Sequence, residues 1–386
     1  MDFELSEDLR ILQQTSRDFA LNELAPGAIE RDEKREYPTE VMRKLGPLGF
    51  MGILVPEQYG GAGLSTLAYC VVMEEIARWD ASVALNMVAQ NSLCLGHLMV
   101  ASNEEQKRKF VMPLARGEKF GAWGLTEPGS GSDAAAMRTT ARLDGDEWVL
   151  NGSKMFITQG NVAETCVILA ATGRGEKKNP ISAFIVEARK DGEATRGYTT
   201  RKIVNKLGMR ASDTAEISME DVRIPRDHLL GAEGQGFTDV LKVLDTGRIG
   251  IGALAVGIAR GALEDSVKYA KEREQFGKPI GQFQAIQWIL ADMATQIDGA
   301  RLLVHRAAFM KDKGETVSRE AAEAKLFASE TAMRAGVNAI QVLGGYGYTS
   351  EFHVERYMRD AKLLEIGEGT SQIQRIVISK HLLRQF

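Results

Sequence analysis

Apolar residues recur at spacings of three and four through the first third of the chain: Leu9, Leu12, Phe19 and Ala20, then Val41, Met42, Leu45 and Leu48. That spacing puts them on one face of a helix. Gly60-Gly61-Ala62-Gly63 breaks the pattern, which resumes from Leu64 to Trp79 and again from Leu93 to Val100, while Asn103-Glu104-Glu105-Gln106 has the form of a helix start. From Phe120 to Leu230 the texture changes. Asp144-Gly145 and Asn151-Gly152 are turn dipeptides that bracket Trp148-Val149-Leu150, a hairpin signal, and strand-like runs follow at Thr165 to Leu169, Ile181 to Val186 and Glu216 to Met219. Short strands at this spacing predict a small antiparallel barrel or sandwich.

From Gly236 the helical period returns. Ile249 to Tyr269 carries Gly250, Gly252, Gly257 and Gly261 among alanines, so this helix offers little bulk to its neighbours. Each helical Gly costs about 1 kcal/mol relative to Ala, which close backbone approach must offset. A helix from about Arg319 to Leu343 stops at Gly344-Gly345, and a last one runs from Thr370 or Ser371 to about Leu383. The pattern predicts an α+β chain: an N-terminal all-α domain (1–119), a central antiparallel β domain taken as a barrel (120–230) and a C-terminal helical domain (231–386).

Composition narrows the function. A net charge of −4 argues against a nucleic-acid surface. Cys70, Cys94 and Cys166 lie far apart and the five histidines have no metal-ligand spacing, so neither a disulfide framework nor a metal site is expected. The chain starts Met1-Asp2-Phe3-Glu4 with no apolar segment behind it, and the apolar run Ile249 to Ala259, bounded by Arg248 and Arg260, is too short to span a bilayer. The expectation is a cytoplasmic protein without membrane insertion.

Three segments carry candidate chemistry. Gly124 to Asp133 (Gly-Leu-Thr-Glu-Pro-Gly-Ser-Gly-Ser-Asp) combines small residues with hydroxyls, as a loop against a heterocycle or phosphate would; a plain Gly/Ser surface turn has the same composition. Glu368, set between Gly367 and Gly369 ahead of the last helix, is either a general base or an acid favoured by the helix dipole. Asp245-Thr246-Gly247-Arg248 reads as a helix opening, where an Arg invites a carboxylate or a phosphate-bearing ligand, or simply an intramolecular ion pair.

Two longer motifs, Gly124 through Ala136 and Gln341 through Glu351 continuing to Arg359-Asp360-Ala361-Lys362, together with Lys206 to Thr214 and Arg273 to Gly277, resemble the acyl-CoA dehydrogenase family from end to end. Leu244 to Ile251 is most similar to its short-chain branch. The resemblance implies an N-terminal all-α domain, a central antiparallel β-barrel domain and a C-terminal four-helix-bundle domain, a homotetramer, one FAD per subunit, oxidation of an acyl-CoA thioester to the trans-2-enoyl product, and electrons passed to electron-transferring flavoprotein. It also implies site residues. Trp123, Gly124, Leu125, Thr126, Gly129, Gly131, Ser132, Phe156, Ile157 and Thr158 would line the flavin ring. Arg273, Phe276, Gln284, Gln341, Val342, Leu343, Gly344 and Gly345 would reach the adenine dinucleotide half, Arg273 and Gln284 across a subunit interface. Thr370, Ser371 and Gln372 would add contacts to FAD. Ser132, Asp245, Arg248 and Gly369 match acyl-CoA positions.

In the family the base occupies one of two places, here Glu368 or Gly247, and only Glu368 can take a proton; it would remove the α-proton while the β-hydride passes to flavin N5. Straight-chain members often carry Tyr where this chain has Gly367, so the pocket is expected to be wider near the α and β carbons and to admit branched or cyclic acyl groups. Ala84 stands where the glutaryl branch has an Arg, which disfavours a dicarboxylic substrate. A flavin oxidase of the same fold and a non-catalytic flavin- or acyl-CoA-binding scaffold are the alternatives.

Overall fold

A computed structural model describes residues 4–173, 180–190 and 192–385. The N-terminal part is helical: α1 (Glu7–Phe19), α2 (Ala28–Lys34), α3 (Thr39–Lys44), α4 (Thr66–Trp79), α5 (Ala81–Val88), α6 (Leu95–Ala101), α7 (Glu104–Gln106) and α8 (Met112–Ala115). Local chemistry sets several starts. Ser65 accepts from the Ala68 N–H at 3.1 Å, Asp80 accepts from Ser82 and Val83, and Asn103 forms a capping box with Gln106. The stretch Ala81–Ala101 is long and apolar enough to cross a bilayer, but 78% of that window is buried inside the protein, as befits a core helix.

The middle of the chain forms β1 (Gly121–Gly124), β2 (Thr140–Asp144), β3 (Glu147–Thr158), β4 (Thr165–Ala171), β5 (Ile181–Glu187), β6 (Arg189–Lys190), β7 (Glu193–Ala194), β8 (Tyr198–Lys202), β9 (Thr214–Pro225) and β10 (Leu229–Leu230). The main sheet runs β10-β5-β4-β2-β3-β9-β8, with β1 alongside β4. The expected antiparallel barrel needs correcting on two counts. Among the described residues the sheet has free edges at β10 and β8, so it is not closed, and β1 and β2 both pair with β4 in parallel. Alternation along β4 explains its burial on both sides: Val167 and Leu169 face the helices, whereas Cys166, Ile168 and Ala170 face the core under β3, β8 and β9.

Asp144-Gly145 does make the β2–β3 turn, with Gly145 at φ +64. Asn151-Gly152 does not. It lies inside β3 at a register shift, because a bulge calls for the same permissive residues as a turn.

The C-terminal part opens with α9 (Gly236–Glu272), followed by a small hairpin of β11 (Glu274–Gln275) and β12 (Lys278–Pro279), then α10 (Gln284–Asp312), α11 (Ser318–Leu343), α12 (Val354–Leu364) and α13 (Ser371–Gln385). Helix α9 packs along α11, α4 and α10, joining the N- and C-terminal helices in one core. Its glycines permit this: a Cβ on Gly257 would stand 2.5 Å from the Glu74 carbonyl oxygen of α4.

The same seam carries buried charge. Arg260 of α9 bonds Glu74 at 3.0 Å and Glu75 at 2.6 Å, while Arg301 and Arg17 each add a bond of 3.0 Å to this carboxylate pair. Two desolvated carboxylates need that compensation. Arg260→Met is therefore expected to lower unfolding stability in urea by about 3–5 kcal/mol, whereas Arg201→Ala, which breaks only the exposed Arg201–Glu216 pair, should cost under about 1 kcal/mol. Equal effects would contradict this account of the seam.

Candidate active site

The turn between α12 and α13 presents Glu368. Gly367 N–H bonds the Leu363 carbonyl at 2.8 Å and Ser371 N–H bonds that of Glu365 at 2.9 Å, so the chain folds back sharply. This forces Glu368 to φ +52 and Gly369 to φ +95, the left-handed region that glycine tolerates and most side chains resist. Such an outlier marks a functional position more often than chance. Gln374 Nε2 donates to the Gly369 carbonyl at 2.8 Å and the Glu368 carbonyl at 3.4 Å, and Thr370 caps α13 by accepting from Ile373 N–H at 3.2 Å.

The carboxylate points away from that helix start and toward α9. A Cβ placed on Gly247 would lie 1.9 Å from Glu368 Oε2 and 3.3 Å from Leu93 Cδ2. The two positions that the resemblance offers for a base therefore face each other across one small space. Although part of the residue keeps some exposure, Oε2 is buried and has no hydrogen-bond partner among the described residues. Desolvation pushes the Glu368 carboxyl up to about 7, with Lys325 and Arg248 acting against the rise. A buried, unpaired carboxylate titrating near neutrality is what general-base chemistry requires. The helix-dipole alternative has no support here, since the carboxylate does not cap α13.

Next to it, Arg248 is buried and donates to Asp245 Oδ1 at 2.9 Å, and Ser318 of α11 donates to Asp245 Oδ2 at 2.5 Å. The expectation that these residues open a helix is wrong. They lie in the interior of α9, which begins at Gly236, and the Arg248–Asp245 bond is the intramolecular ion pair. Arg248 Nε is still buried without a partner among the described residues. One turn along the same helix face, a Cβ on Gly250 would meet Tyr69 Oη at 2.6 Å; this hydroxyl too is buried and unpartnered among the described residues. Ser92 and Leu93 come from a π-helical turn, Ala89–Cys94, a device often found at functional sites.

The Gly/Ser loop leaves the end of β1. Trp123 is buried, its indole N–H donating to His97 Nδ1 at 3.0 Å, and Gly124 and Leu125 follow it inside. Thr126 accepts from Met155 N–H at 2.8 Å through its carbonyl. A buried ion pair pins the loop from below: Lys154 Nζ reaches Glu127 Oε1 at 2.8 Å, and Glu127 also accepts from the Arg138 and Thr139 N–H groups. Above it the loop is open. A Cβ on Gly129 or Gly131 would meet nothing within 4 Å, and Ser132 is exposed. A second register shift, between Lys154 and Ile157 of β3, turns Phe156 outward at φ +61 with 65% exposure, between buried Lys154 and Ile157, with Thr158 half-buried beyond them. An open backbone cradle beside an outward aromatic ring fits a flat heterocycle.

A separate surface cavity of about 580 Å³ is lined by Arg273, Val342, Leu343, Gly344, Gly345 and neighbours, with the Arg273 guanidinium 5.6 Å from the centre of the Tyr346 ring. Gln341 is exposed at the end of α11, Gln284 is exposed at the start of α10, and Phe276 is 93% exposed with its ring edge-on to Phe283 at 6.1 Å. Gln372 is exposed in the first turn of α13, whereas Ser371 is buried with its Oγ unpartnered among the described residues. The structure thus forms two groups on the helices, Asp245, Arg248 and Gly369 about Glu368 and Val342 to Gly345 about Arg273, while the Gly124–Ser132 loop and Phe156 belong to the sheet. Gly247 and Arg273 mark the two along α9, about 39 Å apart at 1.5 Å per residue.

Lys325, Tyr69, Leu93 and Gln374 were not singled out by sequence reasoning. Lys325 had a signal, a lone cation among Ala321, Ala322, Ala324 and Ala328 on the buried face of α11.

Sequence profiles agree with this picture. "Acyl-CoA dehydrogenase, N-terminal domain" matches residues 6–118, the middle domain 122–222 and the C-terminal domain 234–383. The chain is 46% identical over 384 residues, 100% of both chains, to the short-chain specific acyl-CoA dehydrogenase of Clostridium acetobutylicum. Butyryl-CoA dehydrogenase from Megasphaera elsdenii superposes with a TM-score of 0.95 at 43% identity, covering 100% of each chain. A chain solved in work on the electron transferring flavoprotein of Acidaminococcus fermentans and flavin-based electron bifurcation gives 0.96 at 47%, again over 100% of both.

Gly247→Ala tests the facing geometry. The added methyl collides with the carboxylate end of a flexible side chain and touches Leu93 Cδ2 tightly at 3.3 Å, while Ala favours a helix over Gly by up to about 1 kcal/mol. The variant should be no less stable than the parent by thermal melting, yet slower with acyl-CoA by about a hundredfold, the usual cost of a misplaced reacting group. Unchanged turnover would mean that the carboxylate does not work from this position.

Proposed function

Because this chain belongs to the acyl-CoA dehydrogenase family, whose members use FAD to oxidise acyl-CoA thioesters, we propose that Glu368 is its α-proton base. The observation that carries this reading is the buried, unpartnered Oε2 opposite Gly247. The Glu368 N–H donates to no backbone carbonyl among the described residues. It is therefore free to bond the thioester carbonyl and to stabilise the negative charge that builds there as the α-proton leaves, in the manner of an oxyanion hole. Arg248 and Lys325 hold positive charge nearby, which keeps the carboxylate ionisable despite its desolvation. A site that excludes water strengthens both effects.

FAD, when bound, supplies the acceptor for the β-hydride at N5. The residues fit it: the open Gly129–Ser132 loop and Phe156 for the ring, Thr370 to Gln372 at the start of α13, and the Arg273–Gly345 cavity for the adenine dinucleotide half. That cavity lies about 39 Å along α9 from Gly247, in keeping with a flavin held between two copies of the chain. This reading goes with a homo-oligomer, the family's tetramer, in which Arg273 and Gln284 would reach FAD across the subunit interface. Electron-transferring flavoprotein is the proposed acceptor, in keeping with the Acidaminococcus neighbour.

The substrate we infer is a short acyl-CoA with room for a branch or a small ring. A Cβ on Gly367 would find only ordinary contacts, 3.5 Å from the Leu363 carbonyl oxygen and 3.9 Å from Leu363 Cδ1, so a side chain has space there and the glycine leaves that space to the ligand. Tyr69 of α4 packs its hydroxyl against Gly250, one turn of α9 beyond the Gly247 that Glu368 faces, and in this reading it would limit acyl length. Ala84 is fully buried in the core and offers no cation to a distal carboxylate. Three buried, unpaired cysteines suit a reducing, cytoplasmic setting.

Glu368→Gln should keep its FAD and lose about 10²–10⁴-fold in the rate of anaerobic flavin bleaching. In the parent enzyme the base works ionised, so kcat/KM should rise with pH through about 7 and level off above it. Full turnover by the Gln variant would remove Glu368 from the reaction.

A further inference from the structure

Lys325 lies on α11, fully buried in a helix face rich in alanine. Its ammonium donates to the Gly369 carbonyl oxygen at 2.7 Å, not to a carboxylate. That carbonyl belongs to the left-handed turn which aims Glu368, and Gln374 holds it from the other side at 2.8 Å. Burying a cation on a backbone carbonyl is costly for the fold alone, since a buried charge demands strong compensation. Seven residues earlier on the same helix, Ser318 bonds Asp245, the partner of Arg248. Two turns of α11 therefore touch both the α9 ion pair and the turn that presents the base.

We propose that Lys325 is a positioning residue for the base: it clamps the Glu368–Gly369 turn through the Gly369 carbonyl and sets a positive charge beside the carboxylate. The proposal rests on the reading of Glu368 as the base. The groups facing Glu368 are Arg248 from α9, Lys325 from α11 and the Tyr69 hydroxyl from α4, while Lys325 also faces Glu365 at the end of α12 and Glu330 on its own helix. Burial brings the Lys325 ammonium down to about 8, against the pull of Glu368 upward. It stays largely charged at neutral pH, and the charge opposes the desolvation that would keep Glu368 protonated.

The experiment compares Lys325→Met, Lys325→Gln and Lys325→Arg in the FAD-loaded enzyme, by flavin absorbance, kcat, KM and the pH profile of kcat/KM. Removing an opposite charge at short range raises a carboxyl by about one unit or more. Lys325→Met should thus retain FAD, shift the midpoint of the profile upward by about that amount, and lower kcat at neutral pH about fivefold or more with KM little changed. Lys325→Arg keeps the charge and should keep the parental midpoint. Should the Met variant fail to fold, Lys325→Gln, neutral but still a donor, carries the same expected midpoint shift. Parental kcat and midpoint in either neutral variant would overturn the proposal, as would a loss confined to KM. An inactive Glu368→Gln beside unaffected Lys325 variants sinks this proposal alone; an active Glu368→Gln sinks the base reading beneath it.

Discussion

One constraint organises this molecule: a carboxylate must be kept out of water, without a hydrogen-bond partner, and still be able to ionise. Glu368 Oε2 meets it by lying against a helix face that has no side chain at Gly247. Burial alone would leave the group protonated. Two cations from different helices, Arg248 and Lys325, bring it back to a useful range near neutrality. The left-handed turn at Glu368 and Gly369 supplies the direction, at a conformational cost that the surrounding hydrogen bonds must hold in place.

The fold serves that constraint. Helix α9 can run between α4, α10 and α11 only because it is poor in side-chain bulk, and the same run of small residues makes room for the carboxylate at Gly247 and the Tyr69 hydroxyl at Gly250. The ion pairs of Arg260, Arg301 and Arg17 with Glu74 and Glu75 fix α4 to α9 and so hold Tyr69 against Gly250. The open sheet contributes a loop whose backbone is free above and anchored below by Lys154 and Glu127. Rigid support beneath an accessible backbone is what lets such a loop bind without first ordering itself.

Much of this was legible in the sequence where residue type and local geometry coincide. The helices announced themselves by period, β4 and β5 by short apolar runs, and Glu368 by its flanking glycines, because a left-handed backbone and a bulk-free approach demand them. Long-range pairing was less visible. Asn151-Gly152 reads as a turn, since a bulge uses the same residues, and Asp245 to Arg248 reads as a helix start because Thr246 and Gly247 are weak helix formers. Sheet closure also escaped, as it depends on which strand edges meet. Phe156 turns outward through a register shift between distant strands, which no local pattern encodes. Lys325 looks like an isolated polar residue until the fold brings α13 over it.

The most direct measurement is an anaerobic titration of the purified, FAD-loaded protein with butyryl-, octanoyl-, isobutyryl-, isovaleryl-, glutaryl- and cyclohexanecarboxyl-CoA, following the loss of flavin absorbance. The account predicts rapid bleaching by a short branched or small cyclic acyl-CoA, with octanoyl- and glutaryl-CoA slow. Fastest bleaching by octanoyl- or glutaryl-CoA would contradict the short, widened pocket. No bleaching by any member of the series would contradict a working base at Glu368.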